Sequence, residues 1–463
     1  MQATFLHVAD CHLGKWQYNL RERFNDFGRA FHHIVDVALA QQVDFVILAG
    51  DLFEKRALDA LTLNQAMRAL DKLHNQGIPC IAIEGNHERP YFSERVGWME
   101  FLAVRDLLIL LTPTFEDGAA QLKPYKNRSG SYYDPVPGVR VHGLRYFGAG
   151  TATAIESYAQ ALAQLPAENI EYTIFMAHAG VEGVLSDQGG GLSHRQWSVL
   201  RPHVDYLALG HIHKPFTFDD WIYNPGSPES CSVAESDWQD RGYYLVQVDT
   251  EPLPPRALIN TTGAEPATSE KIGEPGQESV GEGSTDTSQH DLIKHTAILH
   301  ANPRRTFHRI SMKTDLFRSP AQLLEHCREL LQRKARDVGA RPLPLLEQPI
   351  VELQLTGVLP FDRSALDLNA VEALVQESFH PLLVLVKNFT RSGDTVIDGA
   401  EAMNRTELER HVLVDLLNRD VRFQDKSEEW ADIALLLKQL ALSGASGEAI
   451  LAEVGTRLYH QLS

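Results

Sequence analysis

The sequence predicts an α/β layered domain, a smaller α+β module and a helical tail. Three observations lead there. Short apolar runs alternate with helical stretches from residue 1 to 249, a polar stretch rich in Pro, Gly, Ser, Thr and Glu fills 250 to 291, and helical spacing of apolar residues dominates after 394.

The first strand candidate is Thr4 to Ala9, and the amphipathic segment Phe24 to Ala40 follows it. Phe45 to Ala49 reads as the second strand, Leu61 to Asn75 as a helix closed by Gly77-Ile78-Pro79, and Cys80 to Glu84 as the third strand. Val139 to Leu144, Tyr172 to Ala177, Tyr206 to Leu209 and Gly242 to Val248 complete the strands of the first domain, residues 1–249. Residues 251 to 291 carry eight acids against two bases and no aromatic ring, so too little apolar surface is available to offset the entropy of ordering; an acidic, disordered linker over 250–291 is expected.

A second module is expected over 292–394. Strands Phe307 to Leu316, Pro349 to Val358 and Leu382 to Lys387 alternate there with helices Ala321 to Val338 and Leu366 to Ser378. The tail, 395–463, reads as helices Ala402 to Arg419, Glu428 to Ser443 and Gly447 to Gln461. Two amphipathic helices at a chain end bury little against each other alone, which makes the tail a candidate docking surface for a partner.

Composition narrows the function. A formal net charge of −18 argues against a protein that coats nucleic acid by bulk charge, because such binding neutralises phosphates with Lys and Arg. A local basic groove or metal ions at the phosphate remain compatible with it. No run approaches the roughly 20 apolar residues of a membrane-spanning helix. MQATFLHVAD runs into a strand instead of a basic-then-apolar leader. Cys11, Cys80, Cys231 and Cys327 form no CxxC pair, so neither a disulfide framework nor a cysteine zinc site is signalled, and a cytoplasmic protein with no membrane contact is expected.

Almost every strand of the first domain ends in a metal-capable residue. These are Asp10-Cys11-His12, Gly50-Asp51, Gly85-Asn86-His87, His178 and Gly210-His211-Ile212-His213. Strand carboxyl ends line one edge of an α/β sheet, so residues remote in sequence converge there. Two carboxylates, an amide and four imidazoles, without a thiolate, suit Mn, Fe or Zn better than a soft ion. Seven donors exceed what one ion takes, whereas two ions on the order of 3.5–4 Å apart and sharing Asp51 explain the number. A hydroxide between such ions is nucleophilic near neutral pH, and in-line attack on a phosphoester is the expected use.

In that order, D-x-H, GD, GNH, a solitary His and GHxH resemble the calcineurin-like metallophosphoesterases over roughly residues 1 to 240. His7-Val-Ala-Asp-Cys-His-Leu-Gly, Gly50-Asp-Leu-Phe, Gly85-Asn-His-Glu, Gly210-His-Ile-His-Lys and Asn224-Pro-Gly-Ser-Pro-Glu look, more narrowly, like the SbcD-type double-strand-break repair nucleases. The resemblance implies a four-layered sandwich with an α+β DNA-capping domain and a partner-binding helical tail, the last two matched by architecture only. One Mn2+ would be held by Asp10, His12, Asp51 and His213, and the other by Asp51, Asn86, His178 and His211, with Mg2+ the other candidate ion. His87 would be catalytic, stabilising the scissile phosphate or protonating the leaving oxygen. The implied function is metal-dependent exo- or endonucleolytic cleavage of DNA within a complex with an SbcC-type coiled-coil ATPase, as a homodimer formed through the nuclease domain.

One position departs from some relatives, which carry a histidine three residues after the bridging aspartate; Glu54 stands there, followed by Lys55 and Arg56. That bears on exonuclease polarity and not on phosphodiester cleavage. Lys15, Trp16, Arg21, Arg89 and Tyr91 flank the first and third motifs and are candidates for DNA contact, with ordinary ion pairing as the bland alternative. His7, His32, His33, His74 and His142 fall outside the strand-end pattern and read as structural or surface residues. Two other functions fit less well: a phosphoesterase for a nucleotide or other small phosphate ester, and a scaffold with a vestigial site, against which the complete donor set argues.

Overall fold

The computed structural model describes residues 1–88, 96–166, 169–185, 191–251, 293–392, 405–418, 423–443 and 445–462. The acidic stretch expected at 250–291 lies outside these apart from Thr250 and Glu251. By compactness the chain divides into one unit of residues 1–310, 331–353 and 372–386 and a second of 311–330, 354–371 and 387–463.

Strand β1 (Gln2–Val8) is followed by helix α1 (Arg21–Ala40), β2 (Phe45–Leu48), α2 (Ala60–Asn75), β3 (Cys80–Ala82), α3 (Trp98–Val104) and β4 (Ile109–Leu110). The chain continues through β5 (Tyr132–Tyr133), β6 (Val139–Leu144), α4 (Thr151–Leu162), β7 (Tyr172–His178), β8 (Tyr206–Gly210), β9 (Phe216–Phe218), β10 (Ile222–Asn224), β11 (Gly242–Asp249) and β12 (His295–Ala301). One sheet has the order β12-β11-β1-β2-β3-β4 and the other β9-β10-β8-β7-β6-β5. β1 to β4 are parallel neighbours, and so are β6, β7, β8 and β10.

The period of two along each strand builds four layers. On β1 and β2, Leu6, Val8, Val46 and Leu48 pack with Phe31, Ile34, Val35, Ala66, Ala69 and Leu70 of α1 and α2. The alternate residues Phe5, Phe45 and Ile47 meet Val141, Ile174, Met176 and Tyr206 of the other sheet. Phe175, Ala177, Leu207 and Leu209 face away, against Ile155, Tyr158 and Leu162 of α4. Phe5 stacks on Phe45 with centroids 5.0 Å apart and meets Tyr206 edge-on at 5.3 Å, so these rings tie the two sheets together. α2 starts at Asp59, whose carboxylate accepts from Thr62 N–H at 2.8 Å. It ends before Gly77, whose φ of 69° suits a helix stop.

Among the elements of this unit that the sequence reading lacks, which also include α3, β4, β5, β9 and β10, two shape its packing most. α4 buries Ala154, Ile155, Tyr158, Ala159 and Leu162 along one face. β12 pairs antiparallel with β11, Ala301 opposite Gly242 and His295 opposite Val248. The domain boundary expected at 292 therefore gives β12 to the wrong side. Ala297 and Leu299 turn toward the sandwich interior while Ile298 stays 51% exposed, so the strand extends the first sheet at its edge.

Further strands β13 (Phe307–Lys313), β14 (Ile350–Thr356) and β15 (Leu383–Asn388) form a three-stranded sheet, with α5 (Pro320–Asp337) and α6 (Leu368–Phe379) between them in sequence, matching the expected strand–helix alternation. In the tail, α7 (Arg405–Asn418), α8 (Ser427–Leu442) and α9 (Gly447–Leu462) are helical. Arg410 pairs with Asp432 at 2.6 Å and Lys438 with Glu409 at 2.5 Å, joining α7 to α8. Ile433 is buried, whereas Val412, Leu416 and Leu442 remain 41%, 58% and 78% exposed. No described helix is long and apolar enough to cross a membrane.

Phe45→Ala removes a fully buried ring from between the sheets and is expected to cost about 3–5 kcal/mol in chemical denaturation, while Leu61→Ala, at a site 57% exposed, changes stability by less than about 1 kcal/mol.

Candidate metal centre

All seven donors named from sequence, and His87, sit at the carboxyl ends of parallel strands: β1 leads to Asp10 and His12, β2 to Asp51, β3 to Asn86 and His87, β7 ends in His178, and β8 leads to His211 and His213. They converge. His178 Nε2 lies 3.2 Å from Asp51 Oδ2 and 3.1 Å from Asn86 Oδ1, and His211 Nδ1 is 2.9 Å from the same amide oxygen. His12 Nε2 faces His213 Nε2 at 3.0 Å and Asp51 Oδ2 at 4.0 Å. The Asp10 carboxylate accepts from His211 N–H at 3.0 Å, and Asp51 Oδ1 accepts from His87 N–H at 3.0 Å. Asp10, His12 and Asp51 are buried and bring their donor atoms within 4.8 Å of one another.

Two of the four imidazoles are fixed by a hydrogen bond from the outer nitrogen, and a third has a carboxylate behind it. His178 Nδ1 donates to the Ala49 carbonyl at 2.8 Å, and His213 Nδ1 donates to Glu235 at 2.9 Å. His12 Nδ1 faces Glu54 Oε2 at 3.0 Å. With the protons held outward, the Nε2 lone pairs point into the centre, the arrangement that metal-ligating histidines adopt. Two such lone pairs facing each other at 3.0 Å in a buried pocket repel unless positive charge comes between or beside them. The donor set therefore fits divalent cations, with Asp51 central enough to be shared.

The same preference shows in proton affinity. Burial alone drives the His178 imidazolium down, yet Asp51 and Asp10 raise its pKa to about 9. Burial likewise disfavours the Asp51 carboxylate, but His178, His12 and His87 hold it well below the usual carboxylate range.

The glycine before a donor has a steric reason, shown most plainly at two of three places. A Cβ on Gly50 falls 2.4 Å from His178 Nδ1, and one on Gly85 falls 2.1 Å from Asp51 Oδ1. Only glycine lets these loops approach so closely. Asp10, His12, Asp51 and His211 also adopt positive φ, at 54°, 48°, 51° and 86°, a strain of about 1 kcal/mol or more each that persists only where surroundings over-determine it.

Three carboxylates supply that determination, and the sequence reading gives none of them the part. Glu88, inside the GNHE run, is buried and accepts from Asp51 N–H at 3.1 Å, Phe53 N–H at 3.0 Å and Gly85 N–H at 2.8 Å, which clamps the GD loop to the GN loop. Burial, then the Asp51 charge, pushes its carboxyl up. Glu54 faces His12, accepts from Lys15 Nζ at 2.6 Å, and through its backbone carbonyl accepts from His87 Nδ1 at 2.7 Å. Glu235 holds His213 and is itself held by Arg241 at 2.6 Å; burial opposes its charge, but His213 and Arg241 lower its pKa to about 2. No spacing rule announces Glu235.

Among the residues considered for DNA contact, Lys15 pairs with Glu54 behind His12. Trp16 is 38% exposed and packs on Phe24 with centroids 4.9 Å apart, and Arg21 is exposed at the start of α1; neither is among the described groups that meet the cluster. Arg89 and Tyr91 lie outside the described residues. His7 and His142 are buried in the sandwich, bonded to Tyr206 and Tyr158 at 3.0 and 3.1 Å, as the structural reading expects.

Glu235→Gln loosens His213 without removing it and is expected to weaken divalent-cation affinity about 10–100-fold in equilibrium titration. A cation must displace the protons that His178 and His213 hold near neutral pH, so affinity is expected to rise at least about tenfold per pH unit between pH 6 and about 8. A flat profile between pH 6 and about 8 contradicts that competition.

Residues 3–215 match the calcineurin-like phosphoesterase family. The DNA double-strand break repair protein Mre11 of Saccharolobus solfataricus is 30% identical over 267 residues, 56% of this chain and 63% of that protein. Its counterparts from Archaeoglobus fulgidus and Haloferax volcanii are 29% and 31% identical, over 50% and 52% of this chain and 51% and 48% of their own lengths. The chain thus spans from about half to under two thirds of the length of the curated relatives it matches. All seven donors, from Asp10 to His213, fall within the residues that match the calcineurin-like phosphoesterase family, and over about half its length the chain is similar to the Mre11 repair proteins.

Proposed function

We propose that this protein is a metal-dependent DNA nuclease that hydrolyses phosphodiester bonds during double-strand-break repair, with two divalent cations, Mn2+ foremost. The observation that carries the reading is the pair of outward-anchored imidazoles, His12 and His213, whose inward nitrogens face each other at 3.0 Å beside Asp51. Asp10, His12, Asp51 and His213 would hold one ion, and Asp51, Asn86, His178 and His211 the other. The chemistry supplied by two bound divalent cations is Lewis acidity at the phosphoryl oxygens and a water made nucleophilic near neutral pH.

The remaining steps belong to the chain. His87 is half-buried at the rim, with Nδ1–H on the Glu54 carbonyl and Nε2 3.9 Å from Asp51 Oδ2. As imidazolium it presents an Nε2–H to a phosphoryl or leaving oxygen, and it becomes the neutral Nδ1–H tautomer once that proton leaves. Glu54 keeps the ring in this pose through a backbone atom, so the departure from histidine at that position leaves the pose intact. The relatives named for double-strand break repair support DNA as the substrate. The exposed apolar residues of the tail support docking of a coiled-coil ATPase of the SbcC type, and deletion of 395–463 is expected to abolish its capture.

The test uses purified protein with Mn2+ or Mg2+ and offers linear duplex, hairpin and single-stranded DNA beside a phosphomonoester. Cleavage of DNA is expected, and His87→Ala should lower its rate by about 10²-fold or more with metal content retained. Asp51→Asn should also empty at least one site. Hydrolysis of the monoester alone, or a near wild-type rate for His87→Ala, overturns the reading.

A further inference from the structure

Cys231 enters the centre unannounced. The sequence reading takes the donor set as free of sulfur, because no CxxC pair is present and Cys231 lies beyond the last histidine motif. Folded, its Sγ stands within 4.8 Å of the donor nitrogens of both His12 and His213, whose Nε2 atoms are 3.0 Å apart. Thiol and imidazole share one anchor: the Glu235 carboxylate accepts from Cys231 N–H through Oε2 at 2.8 Å and from His213 Nδ1 through Oε1 at 2.9 Å. Arg241, bonded to Oε2 at 2.6 Å, keeps that carboxylate charged and in place. Cys231 and His213 are both partly exposed, so an ion reaches them from solvent.

We propose that Cys231 joins His12 and His213 as a third donor for a thiophilic divalent cation of the Zn2+ or Cd2+ class at one side of the centre, an inference that rests on reading the seven-residue cluster as a metal centre. Zn–N bonds of about 2.0–2.1 Å and Zn–S bonds of about 2.3 Å put the donors of a tetrahedral site about 3.3–3.6 Å apart, within reach of these three after small side-chain adjustments. Asp10 and Asp51 are at hand for the fourth position, their oxygens lying within 4.8 Å of a His12 nitrogen. On binding, the thiol gives its proton to solvent and ligates as thiolate. Hard ions such as Mn2+ and Mg2+ prefer the oxygens and leave the thiol a bystander, whereas a thiophilic ion engages it. Cys231 thus sets which cation this side of the centre retains.

The full-length protein, stripped by chelation, is titrated with Co2+ and with Cd2+ and followed by absorption. Wild-type protein should develop one thiolate-to-metal charge-transfer band, saturating at the intensity of one thiolate per protein chain. Cys231→Ser and Cys231→Ala should lose that band and keep the visible d–d bands of bound Co2+, while Cys327→Ser keeps both. A second readout needs no variant: Cd2+ should slow alkylation of Cys231 by N-ethylmaleimide, followed by peptide mass spectrometry, about tenfold or more, and Mn2+ should not. Bound Co2+ without a thiolate band, a band that survives in Cys231→Ala, or unslowed alkylation overturns this inference alone. Absence of any Co2+ binding overturns the metal-centre reading with it.

Discussion

Charge compensation where the strand ends of the two sheets meet governs this molecule. Asp10, Asp51, the Asn86 oxygen and the inward nitrogens of four histidines are electron-rich groups held within a few ångströms of one another, mostly out of water. Such a cluster is stable only with positive charge inside it. The raised proton affinity of His178 records how strongly the pocket demands that charge, and divalent cations meet the demand with directed lone pairs already in position.

The fold exists to hold that cluster together. Parallel strands release Asp10, Asp51, Asn86, His178 and His211 at their carboxyl ends, and packing of Phe5, Phe45 and Tyr206 between the sheets fixes where those ends lie. Left-handed backbone at Asp10, His12, Asp51 and His211 is the local cost. Glu88 offsets part of it by gathering three backbone donors from two loops. Glu54 and Glu235 do the same for side chains, each orienting a histidine from behind. Acidic residues therefore act here as rear supports, while the front of the centre is built mostly from imidazole.

The strands and the donors were legible because both leave local marks. Period-two apolar runs gave β1, β2, β3, β7 and β8, and a glycine beside a metal-capable residue at their ends marked Asp51, Asn86 and His211, for the steric reason seen at Gly50 and Gly85. β12 was not legible as part of the first sheet, since a long polar stretch separates it from its partner and pairing register leaves no trace in either strand alone. α4 was passed over although its buried face is continuous. Glu235 and Cys231 were illegible for a deeper reason: their roles depend on a loop folding back over His213, and no periodicity encodes that return.

The most direct measurement is anomalous scattering from a crystal of the full-length protein grown with Mn2+. Two peaks about 3.5–4 Å apart, with an Asp51 oxygen between them and His12 and His178 on opposite sides, are the predicted result. A single peak, or peaks remote from Asp51, contradicts a shared two-ion centre.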